Sequence, residues 1–221
     1  MDTLRYRSLL PKLATIVASA MLTLWAVAAI TGVAIAYYYT PDTNVAHSSI
    51  EYINTQVTNG WLIRSLHSIA GNGIIAVSLV QIIIMFLGRR MMGGWIVGWI
   101  SGIFLTLSTI GLGWTAMDLD WSQLGYWRFK IELSIIESIP ALGGSIRQFL
   151  LGGDGISTIT LQHLFTIHSY LLSTVALVLS LVHLAGTFIN SRTPVELPAD
   201  ATPEAPLYFP QASVPREAVR K

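Results

Sequence analysis

Four long apolar runs constrain this chain more than any other feature, covering about residues 13–36, 61–87, 95–116 and 159–189. A bilayer core of roughly 30 Å takes about 20 helical residues to cross, and every run is long enough. The composition agrees: 52% of the 221 residues are hydrophobic, 11% are charged, and the mean hydropathy is +0.58. A soluble domain carries roughly 25% charged residues, so this chain cannot cover a globular surface with what it has. A cytosolic enzyme and a disordered chain are both excluded. The formal net charge of +1 gives no polyanion-binding signature. With no cysteine, disulfides, thiolate metal sites, iron–sulfur clusters and thioether-linked cofactors are excluded as well. The expected fold is an all-α integral membrane four-helix bundle.

Charge placement predicts its orientation. Arg5, Arg7 and Lys12 precede the first run, Arg89 and Arg90 separate the second from the third, and Arg192 follows the fourth. The opposite loops are neutral to acidic: residues 117–158 set Asp118, Asp120, Glu132, Glu137 and Asp154 against Arg128, Lys130 and Arg147. The positive-inside rule then puts both termini in the cytoplasm and loops 40–59 and 117–158 at the outer face. Within those loops, residues 45–58 and 128–151 read as short surface helices along the membrane. A 1–12 segment precedes a 13–190 membrane domain, and residues 191–221, with six of the nine prolines, read as an extended tail. The first run is too long for a signal-peptide core and is expected to remain as a span.

His67, His168 and His183 fall inside runs, whereas His47 and His163 lie in or beside the outer loops. An ionisable group at membrane depth is costly and marks function by default, although one such histidine is more simply hydrogen-bonded across a helix interface. Depth separates the readings. His67 lies six residues after Trp61 and His168 nine after Ile159, each counted from the outer face. At about 1.5 Å per residue both sit roughly one-third of the way in. Two imidazoles at matched depth on parallel helices can clamp a flat metallomacrocycle, and imidazole suits iron. His183 lies 15 residues beyond His168; the matching place on the second run, 14 beyond His67, is Gln81. Fourteen residues is close to four turns, so Gln81 shares a face with His67.

Five blocks carry a family resemblance: ITGVAIAYYYTP at 30–41, YINTQVTNGWLIRSLH at 52–67, QLGYWRFKI at 123–131, SIPALGG at 138–144 and STITLQHLFTIHSYLL at 157–172. From about Ile30 to Asn190 the chain resembles the short, four-helix, b6-type cytochrome b of Rieske/cytochrome b complexes. The resemblance implies a haem b near the outer face with His67 and His168 as axial ligands and Arg64 paired with a propionate. Ala18, Gly32, Gly102, Ala116 and Gly113 match small residues that let haem approach the backbone in that family, although helix packing uses the same residue types. The implied role is an electron-transfer subunit of a quinol/quinone oxidoreductase, exchanging electrons with a quinol. The implied partners are a C-terminal, subunit IV-like chain and Rieske or cytochrome c-type subunits. Alone, the chain would be an incomplete enzyme without catalytic residues of its own.

The departures from the family pattern cluster at the inner face. Gln81 stands opposite His183, Ile84 and Trp95 stand where the family has basic residues, and about Ile16 stands where the b6 type tethers an extra haem through cysteine. Three readings stay open: no inner haem, with Gln81 and His183 on a quinone or on each other; a second haem held by His183 alone; or a displaced second ligand. At the outer end His163 replaces a family arginine, reading either as a propionate neighbour or as a solvent-facing loop end; His47 reads as surface. Leu119, Asp120 and Trp121 replace Leu-Pro-Trp beside the outer quinol pocket, so Asp118 and Asp120 either alter that pocket or form a solvated turn. The alternative function is a degenerate cytochrome b retained as a structural scaffold, which leaves unexplained why both outer histidines and Arg64 persist. A transporter is disfavoured because no run is broken by paired Pro or Gly.

Overall fold

The computed structural model describes residues 2–88 and 93–193, and its elements there are helical: α1 (Asp2–Ala36), α2 (Ala46–Thr55), α3 (Gly60–Leu87), α4 (Gly93–Leu119), α5 (Gln123–Glu137), α6 (Gly143–Leu151), α7 (Thr158–Thr166) and α8 (Ser173–Arg192). A π-helical stretch, Ile167–Leu172, joins α7 to α8 without a break. Four segments are long and apolar enough to cross a membrane: Leu9–Ala36, Gly60–Leu87, Gly93–Leu119 and Thr158–Arg192. The all-α four-span bundle expected from the sequence is the one that forms.

The element ends differ from the expected ones for local reasons. The helix of the first span already begins at Asp2, since Leu, Arg and Lys are good helix formers. The third span reaches Leu119, since Asp118 is buried in its last turn. The two loop helices foreseen at 45–58 and 128–151 become three, α2, α5 and α6, with a break after Glu137. Ser122 starts α5 by accepting a hydrogen bond from Gly125 N at 3.2 Å, and Ser157 with Thr160 forms a capping box at α7.

The spans turn large apolar residues such as Ile30, Val33, Ile69, Ile83 and Phe104 outward. Their contact faces are small and polar, as expected where lipid removes the hydrophobic drive for helix association. Between α4 and α8 the buried residues include Gly98, Ser101, Gly102, Thr106, Ser180 and Thr187. A methyl group on Gly186 would lie 2.8 Å from Gly98 Cα. The two backbones therefore touch.

At one end of the bundle Thr15 Oγ1 lies 3.0 Å from Thr187 O, and Trp95 Nε1 donates to Met85 O at 3.0 Å. At the other, Tyr39 OH donates to Leu119 O at 2.8 Å, and the Thr43 and Thr158 hydroxyls meet at 3.0 Å. Lys12 and Arg192 thus share the first end, opposite α2, α5 and α6. Arg89, Arg90, the side chains of Arg5 and Arg7, and the Pro-rich tail from 194 onward lie outside the described residues.

The π stretch matters for register. His67 and Gln81 are 14 residues apart on regular α3, while His168 and His183 are 15 apart on the fourth span. A π turn accommodates one extra residue, and His168 sits inside it. The two pairs are thereby brought level.

Candidate functional site

Near the outer end, the fold brings together His67 of α3 and His168 of the π stretch. Their ring centres are 6.3 Å apart with planes at 61°. Each ring is anchored through Nδ1. His67 Nδ1 lies 2.8 Å from Ala28 O and 3.2 Å from Thr31 Oγ1. A carbonyl only accepts, so this nitrogen carries the proton. His168 Nδ1 lies 2.9 Å from Thr115 Oγ1, whose own proton goes to Gly111 O at 2.9 Å. That hydroxyl oxygen must accept, and His168 is also protonated at Nδ1. Both Nε2 atoms therefore keep a free lone pair on the side away from their anchors, the tautomer a metal ligand needs.

The spacing suits a metal between them. An imidazole nitrogen binds a metal at about 2.0–2.1 Å and lies about 1.1 Å from its ring centre. Two rings on one metal then have centres about 6.3 Å apart, the separation found here. Gly32 supports the arrangement: a Cβ there would sit 3.0 Å from His67 Cε1, so the glycine makes room for the imidazole. Gly113 faces Ile75, whose Cδ1 would be 2.8 Å from its Cβ, which is packing of α4 on α3. Ala116 is exposed and Ala18 buried.

Arg64, one turn before His67, donates to Asp120 Oδ1 at 2.8 Å. The backbone carbonyl of Asp120 meets His47 Nδ1 at 3.1 Å. Trp121 follows with φ 47°, a left-handed conformation uncommon for an aromatic residue, and turns the chain from α4 into α5. Tyr39, buried below this corner, has its phenol pushed up by burial and then by the Asp120 charge. His47 is exposed, as expected, while His163 binds Phe149 O through Nδ1 at 2.9 Å.

The inner pair is built differently. Gln81 and His183 are each 1% exposed, and their Nε2 atoms are 2.8 Å apart. His183 Nδ1 donates to Gly98 O at 2.8 Å, so its Nε2 accepts from Gln81. The second amide proton of Gln81 goes to Ala14 O at 2.9 Å. Gln81 Oε1 has no hydrogen-bond partner; turning the amide over would set that oxygen against two acceptors. A metal between two ligands needs about 4 Å, so this contact leaves no place for one. Around it, Ile84, Trp95, Met85 and Ala14 form an apolar cluster, with Trp99 stacked on Trp95. The positions that carry basic residues in the resembled family are core here. Gly102 is spoken for as well: its Cβ would be 2.9 Å from the His183 ring.

A charge cluster built around a buried carboxylate lies beside the outer pair. Asp118, fully buried, takes Arg128 Nη2 on Oδ1 at 2.5 Å, and Arg128 Nε lies 3.1 Å from Glu132 Oε1. Glu132 Oε2 accepts from Trp114 Nε1 at 2.6 Å. This corrects the solvated-turn reading of Asp118: the i,i+4 pair on α5 folds back to meet it. That Arg–Glu spacing was the one available sequence signal.

Residues 10–190 match the family model "Cytochrome b/b6/petB". A cytochrome b6 of Cyanidium caldarium is 35% identical over 162 residues, covering 73% of this chain and 75% of the relative. A cytochrome b6 of Chlamydomonas reinhardtii is 32% identical over 153 residues, covering 69% and 71%. Among solved structures, a chain of a hyperthermophilic respiratory Complex III superposes with TM-score 0.70 at 22% identity, over 87% of this chain. The present chain spans 52% of that one, and the likeness concerns the fold.

Proposed function

The chain belongs to the cytochrome b/b6 family, and on that footing we propose that it is a membrane electron-transfer subunit that binds a single haem b between His67 and His168. The observation that carries this reading is the pair of rings whose centres lie 6.3 Å apart, each engaged through Nδ1 and so unprotonated at Nε2. A bound haem supplies reversible one-electron storage. The chain's own residues supply the rest. Ala28, Thr31 and Thr115 fix both tautomers and hold the rings in place, and lipid-facing Ile and Val keep the surroundings at low dielectric. Arg64, one turn toward the outer surface, offers a cation to a propionate while remaining tied to Asp120.

The direct Gln81–His183 hydrogen bond supports the first of the three inner-site readings, in which the two side chains bind each other. With no second carrier, electrons enter and leave on the outer side, exchanged with a quinol through partner subunits. Those partners are a subunit IV-like chain and a Rieske or cytochrome c-type protein. The basic clusters put both termini in the cytoplasm.

The test is the haem-to-protein ratio of the complex, read by pyridine haemochrome, in native, His168→Ala and His183→Ala forms. One haem per chain, lost in His168→Ala and kept in His183→Ala, is expected. Two haems per chain would refute the single-site reading. No haem would favour the scaffold alternative, to which the filled inner end lends the only support.

A further inference from the structure

The Asp118–Arg128–Glu132 cluster sets two carboxylates against one guanidinium, a formal charge of −1, with Asp118 fully buried and Arg128 and Glu132 about a quarter exposed. Beside it Phe129, Leu133, Leu150, Leu151 and Leu164 form an apolar core, with Trp114 and Leu119 packed on it. Asp118 is 0% exposed, and its Oδ2 has no hydrogen-bond partner. An uncompensated buried charge is costly enough that such groups usually take a proton instead. The other charged and titratable groups nearby are engaged elsewhere. On the α4–α5 corner, Asp120 pairs with Arg64 of α3. Lys130 of α5 lies over the Trp127 ring, Arg147 of α6 pairs with Glu137, and His163 of α7 is held by Phe149 O.

The cluster adjoins the outer pair through bonded groups. Asp118 is one turn beyond Thr115, the anchor of His168, and Arg128 Nη2 also lies 3.4 Å from Trp114 O. One helical turn is about 5.4 Å, so the carboxyl lies within about 10 Å of the His168 ring.

We propose that Asp118, with Arg128 and Glu132, is a proton-binding site coupled to the redox state of the centre held by His67 and His168. This rests on the haem reading above. When a quinol-class donor gives one electron to that centre, it leaves as a neutral semiquinone and releases one proton to the outer aqueous side, from which the cluster takes one proton, so the summed charge of centre and cluster is unchanged. When the electron leaves to an acceptor, the proton returns to the outer side. At about 10 Å and an effective dielectric of about 20, one charge alters the affinity for the other roughly tenfold. For a one-electron couple that is about 59 mV.

The experiment is a potentiometric titration of the haem band at stepped pH, with redox-difference infrared spectra, on the intact complex. Expected are a midpoint that falls by about 59 mV in total as pH rises and a carboxylic C=O band that appears on reduction. Asp118→Asn should abolish both while retaining the haem. A purely structural ion pair predicts a pH dependence unchanged by Asp118→Asn, or none in the native protein; either result overturns the proposal. If Asp118→Asn does not assemble, a carboxylic band in the native complex that shifts in heavy water supports the site, and its absence refutes it. If the native complex shows no haem spectrum, the functional reading and the coupling both fall. A titrating buried carboxyl band then decides whether the cluster binds a proton at all.

Discussion

Gln81 donates directly to His183 across 2.8 Å at the inner end of the bundle. Both amide protons of Gln81 are used and both nitrogens of His183 are engaged. A histidine that would be a metal ligand in another setting is here a hydrogen-bond hub joining α1, α3, α4 and α8.

Gln81→His is therefore expected to add no second haem, because Ile84, Trp95 and the His183–Gly102 contact still fill the space. The haem-to-protein ratio checks this; a gain of one low-spin haem per chain would show an inner pocket still shaped for it. Gln81→Leu removes the donor to a buried acceptor, a loss of about 1–3 kcal/mol in detergent unfolding.

Thr115→Val removes the only side-chain acceptor found for His168 Nδ1 among the described residues. Loss of such an outer-shell partner typically lowers metal affinity 10–100-fold, roughly. Faster haem transfer to an apo-globin trap is the expected readout. Thr31→Val is the matching change at His67, whose Nδ1 keeps Ala28 O as its backbone acceptor just as His168 keeps Leu112 O.

Gly186→Ala would drive a methyl into the Gly98 backbone. Backbone cannot rotate out of the way, so the loss should reach about 1–3 kcal/mol. Gly71→Ala, where a Cβ meets nothing within 4 Å, is the control. In a helix interior it should be neutral or stabilise by up to about 1 kcal/mol. Thermal unfolding should come earlier in Gly186→Ala and at the native temperature or later in Gly71→Ala.

Tyr39 makes stability pH-dependent in the alkaline range. Its folded-state pKa is raised above the ordinary 10.0, so the folded chain holds the proton more tightly than the unfolded one. The contribution is intact below about pH 10 and is lost as pH climbs beyond it. Tyr39→Phe should flatten that alkaline decline while costing about 0.5–1.5 kcal/mol at neutral pH for the bond to Leu119 O.

The spans and the outer histidine pair were legible because hydropathy fixes depth, and depth alone aligns His67 with His168. The three readings left open at Gln81 could not be narrowed by spacing, since a 2.8 Å contact and a metal-bridged pair share the same register. Asp118 was obscure for another reason: a charged residue at the end of an apolar run reads as loop, and its burial depends on Arg128 ten residues later. The pairing of Arg64 with Asp120, 56 positions apart, is likewise a product of tertiary packing.

The π stretch was invisible in an unbroken apolar sequence, and its effect reaches beyond register. It works as a one-residue shim. The inner half of the fourth span is fixed by glycine contacts with α4, while the outer half has been turned through about one residue's worth of rotation, near 100°. Deleting a single residue from Ser169 to Leu172 would leave the inner half seated and swing His168 off the bundle axis. The two ends of one continuous helix can therefore seat their contacts in different registers, the inner end on α4 and the outer end on the His67 side of the bundle.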